Sequence, residues 1–143
     1  MKSGVKFVLL LLFCSQSYAS DLKAGLLLYS YHFNNNEVFN EENFGVYGSY
    51  KGFTLGTFEN SYYKQSYLVA YEGELSNFGP KTWNTKITYL LGVADGYEDN
   101  PNNHNGGYQP VMALAIRKSI FKLYLTGSLI HFGLEFDLRK SNE

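Results

Sequence analysis

The sequence of 143 residues contains a single cysteine, Cys14, and three prolines. Because Cys14 lies in a leader that we expect to be removed, the mature chain is expected to have neither a disulfide nor thiol chemistry. After that leader there is no stretch of about 20 consecutive apolar residues, which a transmembrane helix would need. The chain has 12 Lys and Arg against 13 Asp and Glu, for a formal net charge of −1. The chain therefore has no excess of basic residues to bind phosphates, and we expect no nucleic-acid partner.

Residues 1–19 have the pattern of a secretory signal peptide. Lys2 and Lys6 supply a positive start, a short apolar run follows, and Ser17-Tyr18-Ala19 is a small-x-small cleavage site. The apolar run is too short to span a bilayer. Residues 20–143 would then form one domain, since the chain is short for more than one.

Aromatic residues and glycine are abundant in what remains. The chain has 13 Tyr, 11 Phe and 14 Gly, yet charged residues make up 17% and the mean hydropathy is −0.23. This combination is typical of a membrane β-barrel, in which an apolar face meets lipid, the interior is polar, and tyrosines lie at the two interfaces. A soluble, aromatic-rich periplasmic β-protein is the alternative that composition leaves open.

The residues alternate with period two in several segments, most clearly near the end of the chain. One face of that last segment is apolar and consists of Ile130, Phe132, Leu134, Phe136 and Leu138. The other face consists of His131, Gly133, Glu135 and Asp137. We expect the first face to meet hydrocarbon and the second to line a polar interior, where His131, Glu135 and Asp137 form a hydrogen-bond network. A soluble sandwich would instead bury the apolar face.

The whole mature chain is predicted to be all-β, a small antiparallel up-and-down transmembrane β-barrel of about eight strands, an even number as in bacterial outer-membrane barrels. The predicted strands are Lys23–Phe33, Phe44–Tyr50, Phe53–Asn60, Ser66–Glu74, Trp83–Ala94, Val111–Arg117, Phe121–Gly127 and Ile130–Leu138.

Connections of two kinds separate these strands. Lys51-Gly52, residues 77–80 and Lys118-Ser119 are short turns, whereas residues 34–43 and 95–109 are long and polar. Long loops at one end and short turns at the other are typical of outer-membrane barrels, with the loops outside the cell.

Three local patterns carry residues suited to chemistry. His32 ends the first strand, Asn40-Glu41 precedes the Gly-containing second strand, and the third strand ends in the run from Phe58 to Lys64. With the later segments Ala70-Tyr71-Glu72-Gly73 and Tyr108-Gln109-Pro110-Val111, these features resemble the lipid A palmitoyltransferase (PagP) family of outer-membrane β-barrels. The resemblance covers about residues 26–138.

The resemblance implies three candidate catalytic residues, His32, Asn60 and Ser61. His32 and Ser61 match the family's catalytic His and Ser, and both lie at the same end of an up-and-down barrel because odd-numbered strands run in the same direction. Asn60 stands where the family has an Asp, and an amide cannot accept a proton as a carboxylate can. We expect either that transfer uses His32 and Ser61 without the carboxylate, with Asn60 as an oxyanion donor, or that the site is not catalytic. On the first expectation, Asn60→Asp raises activity or leaves it unchanged.

The resemblance implies an enzyme that moves an acyl chain from a phospholipid to a lipid acceptor such as lipid A, with the chain held inside the barrel. Gly56, Gly92 and Gly127 would leave room for it. The expected partners are outer-membrane lipids and the barrel-assembly machinery, and the protein is expected to be a monomer. A non-enzymatic barrel acting through its surface loops and a soluble periplasmic lipid-binding barrel are the alternatives.

No cofactor or metal is expected. The three histidines, His32, His104 and His131, show no repeated ligand spacing.

Overall fold

The computed structural model describes residues 22–33, 38–78, 85–98 and 106–138. The expected signal peptide, Trp83 and His104 lie outside these residues. Within them, no helix is long and apolar enough to cross a membrane.

The described residues form eight β-strands, as predicted. The strands are β1 (Leu22–His32), β2 (Gly45–Tyr50), β3 (Phe53–Glu59), β4 (Gln65–Phe78), β5 (Thr85–Ala94), β6 (Gln109–Lys118), β7 (Phe121–Leu125) and β8 (Leu129–Asp137). Each strand pairs with the next in the chain, and β1 pairs with β8, so the sheet closes into an antiparallel up-and-down barrel. Closure removes both sheet edges, which would otherwise expose unpaired backbone groups.

One strand is longer than its pattern predicts. β4 continues to Phe78, although residues 77–80 were expected to break the chain. The register between β4 and β5 shifts between Glu74 and Ser76, which is a β-bulge. A bulge takes up one extra residue and thereby reverses the alternation. Asn77 and Phe78 can therefore still pair with β5.

The side-chain alternation follows the prediction. On β8, Phe132 and Phe136 are exposed on the outside, whereas Glu135 is fully buried inside. Leu90 of β5 points inward and is buried. The outer wall carries many exposed large apolar side chains, among them Leu55, Val69, Leu91, Val93, Met112, Leu114 and Ile116. The apolar face is therefore the outward face, which is the reverse of a soluble sandwich.

The barrel has two different ends. Strands β1, β3, β5 and β7 end at one end of the barrel, called here the loop end, and in sequence they are joined to the next strands by residues 33–44, 60–64, 95–108 and 126–128. Strands β2, β4 and β6 end at the other, called the turn end, and are joined to the next strands by residues 51–52, 79–84 and 119–120.

A network of charged side chains fills the interior towards the turn end. We call it the floor cluster. Its buried members are Glu72, Arg117, Lys122, Glu135 and the hydroxyl of Tyr47, and the more exposed Asp137 and Lys23 complete it at the turn end. Glu135 and Asp137 both contact Arg117, so these two acidic residues share a network as predicted. His131 does not join it and lies nearer the loop end, where β8 begins.

Candidate active site

His32 and Ser61 meet at the loop end of the barrel. His32 is the last residue of β1, and Ser61 follows β3 in the short connection 60–64. The Nε2 atom of His32 lies 2.8 Å from the Oγ atom of Ser61, and both side chains are buried. A hydroxyl within hydrogen-bond distance of an imidazole nitrogen can be a nucleophile that the imidazole activates, or it can orient the imidazole as a general base. The pairing of these two predicted residues rests on the shared direction of odd-numbered strands.

Asn60 is adjacent in sequence but is used differently. Its Oδ1 atom accepts hydrogen bonds from the backbone N–H groups of Tyr62 (2.8 Å) and Lys64 (3.1 Å). Its Nδ2 atom donates to the hydroxyl of Ser66 (2.9 Å) and to the carbonyl of Gly96 (2.6 Å). Two donors and two acceptors are all that a carboxamide offers in this environment. Asn60 therefore holds the connection 60–64 in place, and neither amide hydrogen is left for a substrate.

Glu59, the residue before Asn60, also stays away from the histidine. Its side chain is exposed, and its Oε1 atom accepts a hydrogen bond from the side chain of Asn40 at 2.9 Å. Neighbouring residues on a strand face opposite sides, and the Glu59 carboxylate therefore points away from His32.

An aromatic row surrounds the pair, and the sequence analysis did not single it out. The Phe39 ring stacks on the His32 imidazole, Tyr62 meets Phe39 edge-on, and Tyr97 meets Tyr62 edge-on. These residues come from β1 and three separate connections, so they tie the loops together around the site. Burial raises the pKa of Tyr97 to about 12, which keeps its phenol neutral at physiological pH. No sequence signal marks Phe39, because it lies in a polar loop without periodicity.

The pair opens into a cavity of about 520 Å³ at the loop end. This volume lies within the roughly 300–1,000 Å³ of small-molecule sites. A second cavity of about 80 Å³, deeper in the barrel, is lined mainly by apolar side chains. The two cavities share the lining residues Phe58, Val111, Thr126, Leu129 and His131, so they adjoin. A cavity with both polar and apolar lining thus leads into a more apolar one.

The apolar cavity ends where the floor cluster begins, since Tyr47 and Tyr124 line it. The predicted glycines contribute differently. Gly56 and Gly92 do not line this cavity, because a Cβ atom at either would lie within 3 Å of a neighbouring strand. Gly127 lies at the larger cavity instead.

The cavity at the loop end also reaches the barrel wall between β6 and β7. Residues 114–118 of β6 pair with β7, whereas residues 109–113 pair with β5 alone. Pro110, which has no N–H to donate, lies in the part of β6 without a β7 partner. Met112 on β6 and Ser128 after β7 both line the cavity. Within the described residues, no strand pairing closes the wall at this position.

His131 lies where the two cavities meet. Its ring hydrogen-bonds to the backbone carbonyl of Asn43, and its Nε2 atom is buried and has no hydrogen-bond partner among the described residues. Among the described residues, no group of three or more His, Cys, Asp or Glu side chains is placed to hold a metal ion.

The fold and site together define a class: a closed eight-stranded up-and-down β-barrel with a His–Ser pair at its loop end. In comparisons with known proteins, no family model matches the chain, and neither does any curated protein.

Proposed function

We propose that the chain is an outer-membrane acyltransferase that moves an acyl chain from a phospholipid to a hydroxyl of a lipid acceptor. The observation that carries this proposal is the His32–Ser61 pair, 2.8 Å apart, in a cavity with polar and apolar lining that adjoins a more apolar one. An ester-linked lipid likewise has a polar part, its headgroup and ester, and an apolar part, its acyl chain.

The outer wall supports a membrane location. Phe53, Val69, Met112 and Phe121 are each more than 60% exposed. In a water-soluble protein, contiguous apolar surface of this kind is rare and marks a surface that another phase or molecule covers. A bilayer covers it around the full circumference, with the long polar loops on one side. The open wall between β6 and β7 would then let a lipid enter the cavity sideways.

The chemistry requires two balanced proton transfers. In one route, the Ser61 hydroxyl attacks the donor ester carbonyl while His32 Nε2 takes its proton, and the lyso-lipid leaves with that proton. The acceptor hydroxyl then attacks the acyl-serine and loses its proton to His32, which returns it to the Ser61 oxygen. In the other route, His32 takes the proton of the acceptor hydroxyl as its oxygen attacks the donor ester carbonyl, Ser61 orients the imidazole, and the lyso-lipid leaves with the proton from His32. Both routes depend on the same pair.

A second candidate function is a non-enzymatic barrel that acts through its loops. One observation favours it: Asn60 replaces a carboxylate and is fully occupied in holding its own connection. In this candidate, His32 and Ser61 would be a structural pair.

Lipid mass spectrometry with and without expression of the full chain separates the two candidates. The proposed enzyme should produce lyso-phospholipid and an acceptor heavier by one acyl group. Both products should disappear in His32→Ala and fall strongly in Ser61→Ala, with heat-modifiable gel migration showing that the barrel still forms. Tyr67→Ala, which truncates an exposed side chain on the outer wall, is the matched control. Unchanged lipids with folded wild-type protein would favour the loop-acting barrel.

A further inference from the structure

The imidazole of His32 lacks the partner that usually orients a catalytic histidine. Its Nε2 atom contacts Ser61, but its Nδ1 atom is buried and has no hydrogen-bond partner within the part of the chain that the structure describes. In Ser-His-Asp triads a carboxylate on the second nitrogen holds the ring in its working orientation. Neither Asn60 nor Glu59 does this here, because both are engaged elsewhere. The carboxylate of Glu41, whose charge also acts on His32, accepts a hydrogen bond from the Tyr29 hydroxyl and forms none with the imidazole. Something else must fix the ring.

Phe39 supplies a geometric constraint of a different kind. Its ring centroid lies 4.4 Å from that of His32, and the two planes are 20° apart. A near-parallel stack at this distance is a favourable aromatic arrangement. It restricts the plane of the imidazole, and the hydrogen bond to Ser61 then selects which edge of the ring faces the hydroxyl.

The next residue along the chain holds Ser61. The backbone N–H of Asn40 donates to the carbonyl oxygen of Ser61 at 2.9 Å. The Asn40 side chain donates to the carbonyl of Asn60 at 3.3 Å. Phe39 also meets the ring of Tyr62, the residue after Ser61, with centroids 6.0 Å apart. Of two consecutive residues, Phe39 therefore contacts His32 and Asn40 contacts Ser61.

We infer that Phe39 is a positioning residue, which orients His32 towards Ser61 by stacking where a triad would use a carboxylate. The inference rests on the proposed function as far as the reaction is concerned. A stacked ring fixes geometry without accepting a hydrogen bond from Nδ1–H. Loss of the ring should therefore misplace the imidazole and slow the chemical step. Phe39 also lines the larger cavity, so the substitution that tests its role must keep an apolar side chain there for lipid binding to change less than the chemical step.

The test compares three variants of the full chain in micelles. Phe39→Leu removes the ring but keeps an apolar side chain, and Phe39→Tyr keeps the ring. Phe44→Leu makes the same substitution at an exposed residue of the same connection and is the control. We expect Phe39→Leu to lower kcat by about tenfold to a hundredfold, as small misplacements of catalytic groups do, with KM changing less. Phe39→Tyr should restore kcat, and Phe44→Leu should match wild type.

A second measurement does not depend on turnover. The ¹⁵N spectrum of the His32 imidazole reports the hydrogen bond between Nε2 and Ser61. We expect Phe39→Leu and Ser61→Ala to change this signal in the same direction and Phe44→Leu to leave it unchanged. If wild type transfers no acyl group but Phe39→Leu still changes the signal, the proposed function fails and the positioning role stands. A Phe39→Leu variant with wild-type kcat and an unchanged signal would overturn the inference.

Discussion

The Nζ atom of Lys122 lies 2.6 Å and 2.8 Å from the two carboxylate oxygens of Glu72, on the opposite side of the barrel interior and 50 positions away in sequence. Lys122 also contacts Glu135, and neither Lys122 nor Glu135 is exposed to solvent. Glu135 is further contacted by Arg117 at 3.1 Å and accepts a hydrogen bond from Tyr47 at 2.9 Å. With Lys23, which lies 3.7 Å from Glu135, three cations face the three carboxylates of the floor cluster.

Removing the lysine from the floor cluster should destabilise the barrel. In Lys122→Met, the buried carboxylates of Glu72 and Glu135 lose their shared cation, and breaking a buried ion pair on one side costs about 3–5 kcal/mol. Urea unfolding in micelles measures the change in the free energy of unfolding. Adding Glu72→Gln to this variant should recover part of the loss, because it restores the charge balance.

The control for this prediction is the same substitution at an exposed ion pair. Lys86 lies 3.7 Å from Glu74, and both side chains are more than a third exposed. Lys86→Met should cost no more than about 1 kcal/mol, since solvent screens the pair. Equal effects of Lys86→Met and Lys122→Met would show that the floor cluster does not stabilise the fold through charge pairing.

Asn60→Asp should lower both stability and activity, and here the geometry reverses the expectation from sequence. A carboxylate cannot donate to the Gly96 carbonyl, which lies 2.6 Å from the present Nδ2 atom, so two oxygens would face each other. An unsatisfied buried polar group costs about 1–3 kcal/mol. Thermal or urea unfolding of the variant, compared with lipid analysis, checks both effects.

The pH dependence of the same variant has a defined sign. A proton on the new carboxyl restores one of the two lost donors, so the folded state binds that proton more tightly than the unfolded state. The destabilisation of Asn60→Asp relative to wild type should therefore shrink as pH falls and grow as pH rises. If Asn60→Asp is as stable as wild type at every pH and transfers more acyl groups, the hydrogen bonds of Asn60 do not matter and the site works as a carboxylate triad.

The sequence predicts the strands well because a barrel that is apolar outside and polar inside repeats with period two. It also predicts that His32 and Ser61 share one end of the barrel, since this follows from strand direction alone. The partners of Asn60 could not be predicted, because Ser66 at the start of β4 and Gly96 after β5 reach it only through three-dimensional packing. The stack of Phe39 on His32 was missed for the same reason, and the β4 bulge is invisible to a pattern that assumes strict alternation.

The outward position of Phe132 gives a test of membrane insertion. Phe132 and Phe136 lie on the same face of β8, four residues or about 13 Å apart along the strand. If a bilayer surrounds the barrel, Phe132→Arg should cost about 2–4 kcal/mol near the midplane, and Phe136→Arg about 0–1 kcal/mol near the interface. Unfolding in lipid vesicles measures both. Equal costs at the two positions would contradict a bilayer centred on this part of β8.

Gly133 is not a suitable interior counterpart for that test. A Cβ atom there would lie 2.5 Å from the backbone carbonyl of Leu26 on β1, so even alanine would disturb the strand pairing. The effect of Gly133→Arg would report this clash and not the polarity of the interior.

The apolar cavity should limit which acyl chain is transferred, if the proposed function holds. Ala113 lines this cavity from β6, beside its cross-strand partner Leu90 on β5, and Leu68 on β4 lines the same cavity. Ala113→Phe would fill space that the end of an acyl chain needs, and we expect the transferred chains to become shorter, as read from the masses of the acylated products. Leu114→Phe places the same side chain on the outer wall, where Leu114 is exposed, and should leave the chain lengths as in wild type.

Because overpacking a core costs about 1–3 kcal/mol, unfolding of both variants is measured alongside. Shorter products from Ala113→Phe alone, with both barrels folded, would locate the acyl chain inside the barrel; unchanged lengths in a folded, active Ala113→Phe variant would show that the chain lies elsewhere.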